Sequence, residues 1–124
     1  VIELARYIAE RYSGKVVEVG VGYNFTTSDY LEDMGFEVVR TDVVKTREDV
    51  LIDDVCMPNV EIYRNASLIY SIKPPYEIQE CILRLAKIVG CDTIILPLKN
   101  EIADGGRLVN YKGIFFYLFT PQHP

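Results

Sequence analysis

Val16-Val17-Glu18-Val19-Gly20-Val21-Gly22-Tyr23-Asn24 is a short β-branched run that ends in a glycine turn. Val16, Val17 and Val19 suit a strand covered on both faces, as in the middle of a parallel sheet. Gly20 and Gly22 permit left-handed backbone and let a ligand come close to the main chain. Just downstream, Thr26 or Thr27 can cap a helix carrying Tyr30, Leu31 and Met34, which Gly35 ends. Strand, glycine turn and helix in this order predict a nucleotide-cofactor loop at the carboxyl end of a central strand.

Working outward, Leu4, Ala5, Ile8, Ala9 and Tyr12 share one stripe of a leading helix over residues 1–12, which Ser13-Gly14 closes. Further strands are predicted at residues 36–41, 50–52, 67–72 and 93–98. Pro74-Pro75 opens a helix whose Ile78, Ile82, Leu85, Ala86 and Val89 recur at helical spacing until Gly90. Gly105-Gly106 breaks the chain before a hairpin of residues 108–111 and 114–120 that turns at Lys112-Gly113. Strands alternating with helices predict an α/β fold, a mostly parallel sheet in three layers with right-handed crossovers and a C-terminal antiparallel hairpin. Residues 1–124 are expected to form a single domain. In the last strand Ile114, Phe116 and Leu118 oppose Phe115, Tyr117 and Phe119, so both faces are apolar. That strand is interior or covered by a second subunit, and a homodimer is one expectation.

The chain of 124 residues has room for one core and one site. Hydrophobic residues make up 49% and charged residues 25%, and no apolar run is long enough to cross a bilayer. No basic-then-apolar leader is visible, so the expected location is cytoplasmic. A net charge of -5 offers no general attraction to a polyphosphate backbone, and nucleic acid is not signalled. Cys56, Cys81 and Cys91 are odd in number without a C-x-x-C pair, and His123 is the only histidine, so no metal is expected. Apolar neighbours around each cysteine predict small buried side chains rather than reactive thiols.

Several carboxylates fall at predicted strand ends, where such sheets bind ligands. Asp42 lies twenty residues after Gly22 and could accept both hydroxyls of a cofactor ribose. Asp53 or Asp54 could accept from an adenine amino group, with Asp54 preferred and a turn role left for the other. Glu18 could hold a ligand ammonium directly or through water, or be satisfied by N–H groups of the next helix. Ser71-Ile72-Lys73-Pro74-Pro75-Tyr76 follows the fourth strand, beside which a transferred group would emerge. Its prolines read as a rigid turn, while Lys73, Tyr76 and, more weakly, Ser71 are the candidate substrate-positioning groups.

Glu18-Val19-Gly20-Val21-Gly22-Tyr23-Asn24 resembles the E/D-x-G-x-G-x-G loop of class I, Rossmann-like methyltransferases that use S-adenosylmethionine, with Asn24, a residue tolerant of positive φ, for the third glycine. Asp53-Asp54-Val55, the stretch from Ser67 to Pro75 and the stretch from Gly105 to Tyr111 further resemble a small uncharacterised archaeal protein family of this fold. The resemblance implies S-adenosylmethionine as cofactor. It places Gly20, Gly22 and Asn24 along the methionine part, with Glu18 and Tyr23 also on the cofactor, Asp42 at the ribose and Asp54 at the adenine. One departure bears on the chemistry. Amine-methylating enzymes resemble N/D-P-P-Y after the fourth strand, and Lys73 stands where their acceptor residue would be.

Two competing expectations come from other classes. A non-catalytic binding module is favoured by the lack of an evident base or acceptor motif. A nicotinamide dinucleotide protein is favoured by Asp42 alone and disfavoured by Phe25, which occupies the third glycine of G-x-G-x-x-G.

Overall fold

Side chains alternate in direction along each central strand, and because both directions are apolar the sheet carries a core on each face. The computed structural model describes residues 1–99 and 101–121; His123 lies outside them. The elements are α1 (Ile2–Arg11), β1 (Lys15–Val19), α2 (Thr26–Asp33), β2 (Glu37–Asp42), β3 (Val50–Ile52), β4 (Ala66–Ile72), α3 (Tyr76–Val89), β5 (Asp92–Leu96), β6 (Arg107–Tyr111) and β7 (Ile114–Phe119). A 3-10 turn over Val60–Tyr63, unmarked in the sequence pattern, leads into β4.

The seven strands form one sheet in the order β3-β2-β1-β4-β5-β7-β6. β1 pairs in parallel with both β2 and β4, and β5 continues the parallel set. β7 then inserts antiparallel between β5 and β6. The order reverses between β1 and β4, so the glycine turn after β1 emerges at the switch point, the place where sheets of this kind bind ligands.

On one face α1 and α2 cover Val16, Leu68, Tyr70, Ile94 and Phe116; on the other α3 covers Val17, Val19 and Ile69. Tyr7 of α1 meets Phe116 edge-on at 4.7 Å. Gly90 closes α3 in left-handed backbone, and Lys112-Gly113 turns the hairpin with φ of 49 and 87. The last strand is therefore interior to the sheet. Phe116 and Leu118 sit in the α1 core, whereas Phe115 on the opposite face is 55% exposed.

Two local expectations fail for physical reasons. Neither Thr26 nor Thr27 caps α2: Phe25 is the N-cap residue, and the Asn24 side chain takes the Thr26 amide at 3.1 Å. The cysteines are not simply buried. Cys56 and Cys81, 25 residues apart, form a disulfide, while Cys91 is free and buried, its thiol pushed up to about 11 by desolvation. No sequence spacing announces this bond, because the chain after β3 must fold back onto α3 to make it.

Candidate functional site

Gly20 and Gly22 both take left-handed backbone, with φ of 69 and 59. A Cβ at Gly22 would meet nothing within 4 Å, so conformation rather than crowding requires glycine there. Their amides are already engaged. Gly20 N and Val21 N donate to Thr41 O at 2.9 and 3.2 Å, and Gly22 N donates to Asp42 Oδ2 at 2.9 Å. The loop is thus fastened to the end of β2, and the Thr46 hydroxyl holds it from above by donating to the Gly22 carbonyl.

Asp42 spends one lone pair of each oxygen on the main chain, Oδ2 at Gly22 and Oδ1 at Val44 N, 3.1 Å away. Each carboxylate oxygen keeps further acceptor capacity. The two following aspartates separate by environment. Asp53 accepts from Asn59 N at 3.0 Å and from the Tyr63 hydroxyl at 2.6 Å, so it organises its own loop. The exposed Asp54 carboxylate accepts, among the described residues, from Cys56 N at 2.9 Å, while its carbonyl takes Met57 N. Close to these carboxylates along the chain, Tyr23 after the glycine turn, Val43 and Val44 after Asp42 and Met57 after Asp54 are exposed.

Three sequence candidates behave otherwise. Asn24 is not among the residues with positive φ, so it does not replace a glycine conformationally; its carboxamide secures the start of α2. Glu18 is only 1% exposed and accepts from the Tyr70 hydroxyl at 2.8 Å rather than from helix amides. Burial raises its carboxyl to about 7, against the opposing pull of Tyr70 and Arg40. Ser71 is fully buried, and its hydroxyl donates to Val19 O at 2.7 Å, stitching β4 to β1 beneath the loop. It is not free to meet a substrate.

Lys73 and Tyr76 remain at the surface. Lys73 holds φ at 52 and donates its amide to Leu96 O, an uncommon conformation for a side-chain-bearing residue ahead of proline. Tyr76 opens α3 and is 62% exposed.

A charged network unmarked in the sequence braces the far side. Arg40, with its side chain 2% exposed, donates to Ser28 Oγ and Asp29 and lies 3.3 Å from Asp49. Arg47 makes paired bonds to both Asp29 and Asp49, and its guanidinium lies 3.9 Å from the centre of the Phe25 ring. These partners hold both aspartates below the ordinary carboxylate range. The network ties the β2–β3 connection to α2. Its members lie up to twenty residues apart with no fixed period, which hides them from pattern reading.

Comparison with known proteins agrees with this architecture. A family model described as an uncharacterised protein family, UPF0146, matches residues 1–120. A UPF0146 protein of Archaeoglobus fulgidus is 46% identical over 126 residues, covering 98% of this chain and 96% of the relative. Among solved structures, a proposed S-adenosyl-L-methionine-dependent methyltransferase of Methanococcus maripaludis superposes with a TM-score of 0.72 at 13% identity, covering 98% of this chain and 84% of that one. An S-adenosyl-L-methionine methyl transferase of Silicibacter pomeroyi gives a TM-score of 0.55 at 18% identity, covering 94% and 88%. At such identities the likeness establishes the fold alone.

Proposed function

Because the chain belongs to the UPF0146 family and has a methyltransferase-like α/β fold, we propose that it binds S-adenosylmethionine at the carboxyl ends of β1, β2 and β3. The observation that carries this is where the loop's donors go. A dinucleotide needs free amides at its glycine loop to cradle a pyrophosphate. Here the Gly20, Val21 and Gly22 amides are spent on Thr41 and Asp42. S-Adenosylmethionine carries no phosphate, and the remaining groups fit its parts. Asp42 offers acceptor capacity to the ribose hydroxyls, and Asp54 offers it to the adenine amino group. Tyr23, exposed beside them, can cover the ligand. Glu18 acts only through the field of a buried carboxyl beneath α2, and Asn24 through the helix start.

Bound there, the cofactor supplies a methyl group already activated on a sulfonium. The chain's own task is then to hold an acceptor in line and exclude water. Lys73 and Tyr76 are the positioning groups in this proposal. Calorimetric titration with S-adenosylmethionine, S-adenosylhomocysteine and NAD tests it: heat with the first two and none with NAD is expected. Absence of heat with both at millimolar ligand removes the proposal.

A second reading, a non-catalytic binding module, is favoured by sealed Ser71 and by Lys73 in place of an acceptor side chain. Tight cofactor binding with no methyl transfer to any component of a cell extract would support it. The homodimer belongs to the same reading, carried by exposed Phe115 and Leu108, and light scattering decides it. We keep a cytoplasmic setting as part of the proposal. The Cys56–Cys81 bond supplies its test, since alkylation of thiols in intact cells reports whether that compartment leaves the pair oxidised.

A further inference from the structure

The described residues between β5 and β6 form no helix, so the sheet face opposite α1 is left without a full cover over β5 and β7. Two cavities result. One, of about 450 Å³, opens at the amino ends of the parallel strands among Leu83, Lys87, Thr93, Arg107 and Phe119, far from the glycine turn. The other, of about 490 Å³, opens at the carboxyl ends, where Lys73, Leu96 and Ile114 meet. Its size falls in the range of small-molecule sites.

The second cavity has the composition of a ligand site. Leu98, Leu108, Phe115 and Tyr117 form apolar and aromatic walls, and Lys73, Lys99 and Glu101 supply the charged groups. Leu108, Tyr117 and Ile95 lie in one register row across the sheet, so they present the same face. Among the described residues neither Lys73 nor Lys99 has an ion-pair partner. Glu101 Oε2 is buried with no hydrogen-bond partner among the described residues. A buried carboxylate oxygen left unpaired is costly, and because Glu101 itself lines the cavity, a turn of its carboxylate toward a donor on a bound molecule would relieve it. The cavity lies at the same, carboxyl end of the parallel strands as the glycine turn, with Lys73 in its lining just after β4. Ser71, two residues before Lys73, lies with its hydroxyl 3.9 Å from where a Cβ on Gly20 would stand.

We infer that this cavity is the acceptor site, and that it takes a small planar apolar anion bearing a hydroxyl or amine. Lys73, aimed by its left-handed backbone, meets the anionic group together with Lys99. The aromatic walls take the ring. Glu101 accepts the hydrogen of the hydroxyl or amine. A second copy of the chain is the poorer occupant, because a symmetric contact here would bring the lysines of both copies together. The assignment of the cavity as acceptor site rests on the S-adenosylmethionine proposal, whereas its ligand chemistry does not.

The test is an amide-resolved NMR titration of the full chain with para-hydroxybenzoate, without cofactor, so that its failure leaves the calorimetric result untouched. Saturable shifts are expected at Lys73, Leu98, Leu108, Phe115 and Tyr117. Phenol, lacking the carboxylate, should bind about tenfold more weakly. Lys73→Met should cost about tenfold for para-hydroxybenzoate and nothing for phenol, with Lys73→Arg restoring affinity. Glu101→Gln should weaken para-hydroxybenzoate but not benzoate. Equal binding of phenol and para-hydroxybenzoate, shifts centred elsewhere, or the same amides shifting on concentrating the protein alone would each overturn the inference, the last by assigning the face to a second copy.

Discussion

With its carboxyl pushed to about 7 from an ordinary 4.5, Glu18 holds a proton in the folded chain over a range where the unfolded chain has lost it. The stability this gives is complete below pH 4.5 and is lost as pH rises through 7. The loss amounts to about 3 kcal/mol. Glu18→Gln keeps an acceptor for Tyr70 and should flatten that slope, leaving the variant the more stable protein at pH 8; urea unfolding at pH 5 and pH 8 measures it. Asp53 and Asp54 make a second contrast. Asp54→Asn should weaken S-adenosylmethionine binding about tenfold while leaving thermal unfolding nearly unchanged. Asp53→Ala should do the reverse, costing about 1 kcal/mol through loss of the 2.6 Å bond from the buried Tyr63 hydroxyl, which keeps only the longer contact to Thr41 Oγ1 at 3.3 Å. At this scale the sequence is a partial guide. Residue types and spacing marked Asp42 and the two glycines, but whether Ser71 or Glu18 faces a ligand or the interior depends on which strand lies beside it, and no local pattern carries that.

The elements themselves were largely legible. β-Branched runs, the Pro74-Pro75 start, the Gly90 stop and the Lys112-Gly113 turn each act through backbone conformation, a local property that a short stretch of chain specifies completely. What the pattern does not carry is long-range, the Cys56–Cys81 bond and the Arg40 and Arg47 network, whereas the doubly apolar last strand already raised an interior place for β7 as one of two alternatives. The disulfide closes a loop that includes Tyr63 and β4, and it secures the segment bearing Asp54 to α3. In the chain-entropy account, opening a loop of this length costs about 3 to 4 kcal/mol. Cys81→Ser, or reduction with dithiothreitol, should therefore lower the unfolding free energy by that amount and move the denaturation midpoint down accordingly. It should also weaken cofactor binding, because Asp54 loses its anchored loop; unfolding and calorimetry under matched redox conditions check both.

For the molecule as a whole, a doubly covered parallel sheet with a terminal hairpin was readable from the alternation of strand and helix patterns, since few packings bury strands that are apolar on both faces. The thinness of one layer was not readable, because the lack of a helix among the described residues between β5 and β6 leaves no signal except the short connection itself. Arg40 bears on global stability. Replacing it with Met leaves the half-exposed Asp29 and Asp49 still held by Arg47 but strips the buried bond to Ser28, and a loss of about 1–2 kcal/mol is expected in chemical unfolding. The glycine turn has a different kind of consequence. Since its three amides are bonded before any ligand arrives, it should resist hydrogen exchange in the empty protein almost as well as the strands do. Binding would then require little ordering of that segment, so affinity lost by mutation there should show in escape rather than in capture. Restoring glycine at Phe25 should yield no NAD site, because the donors such a ligand would need are already committed elsewhere.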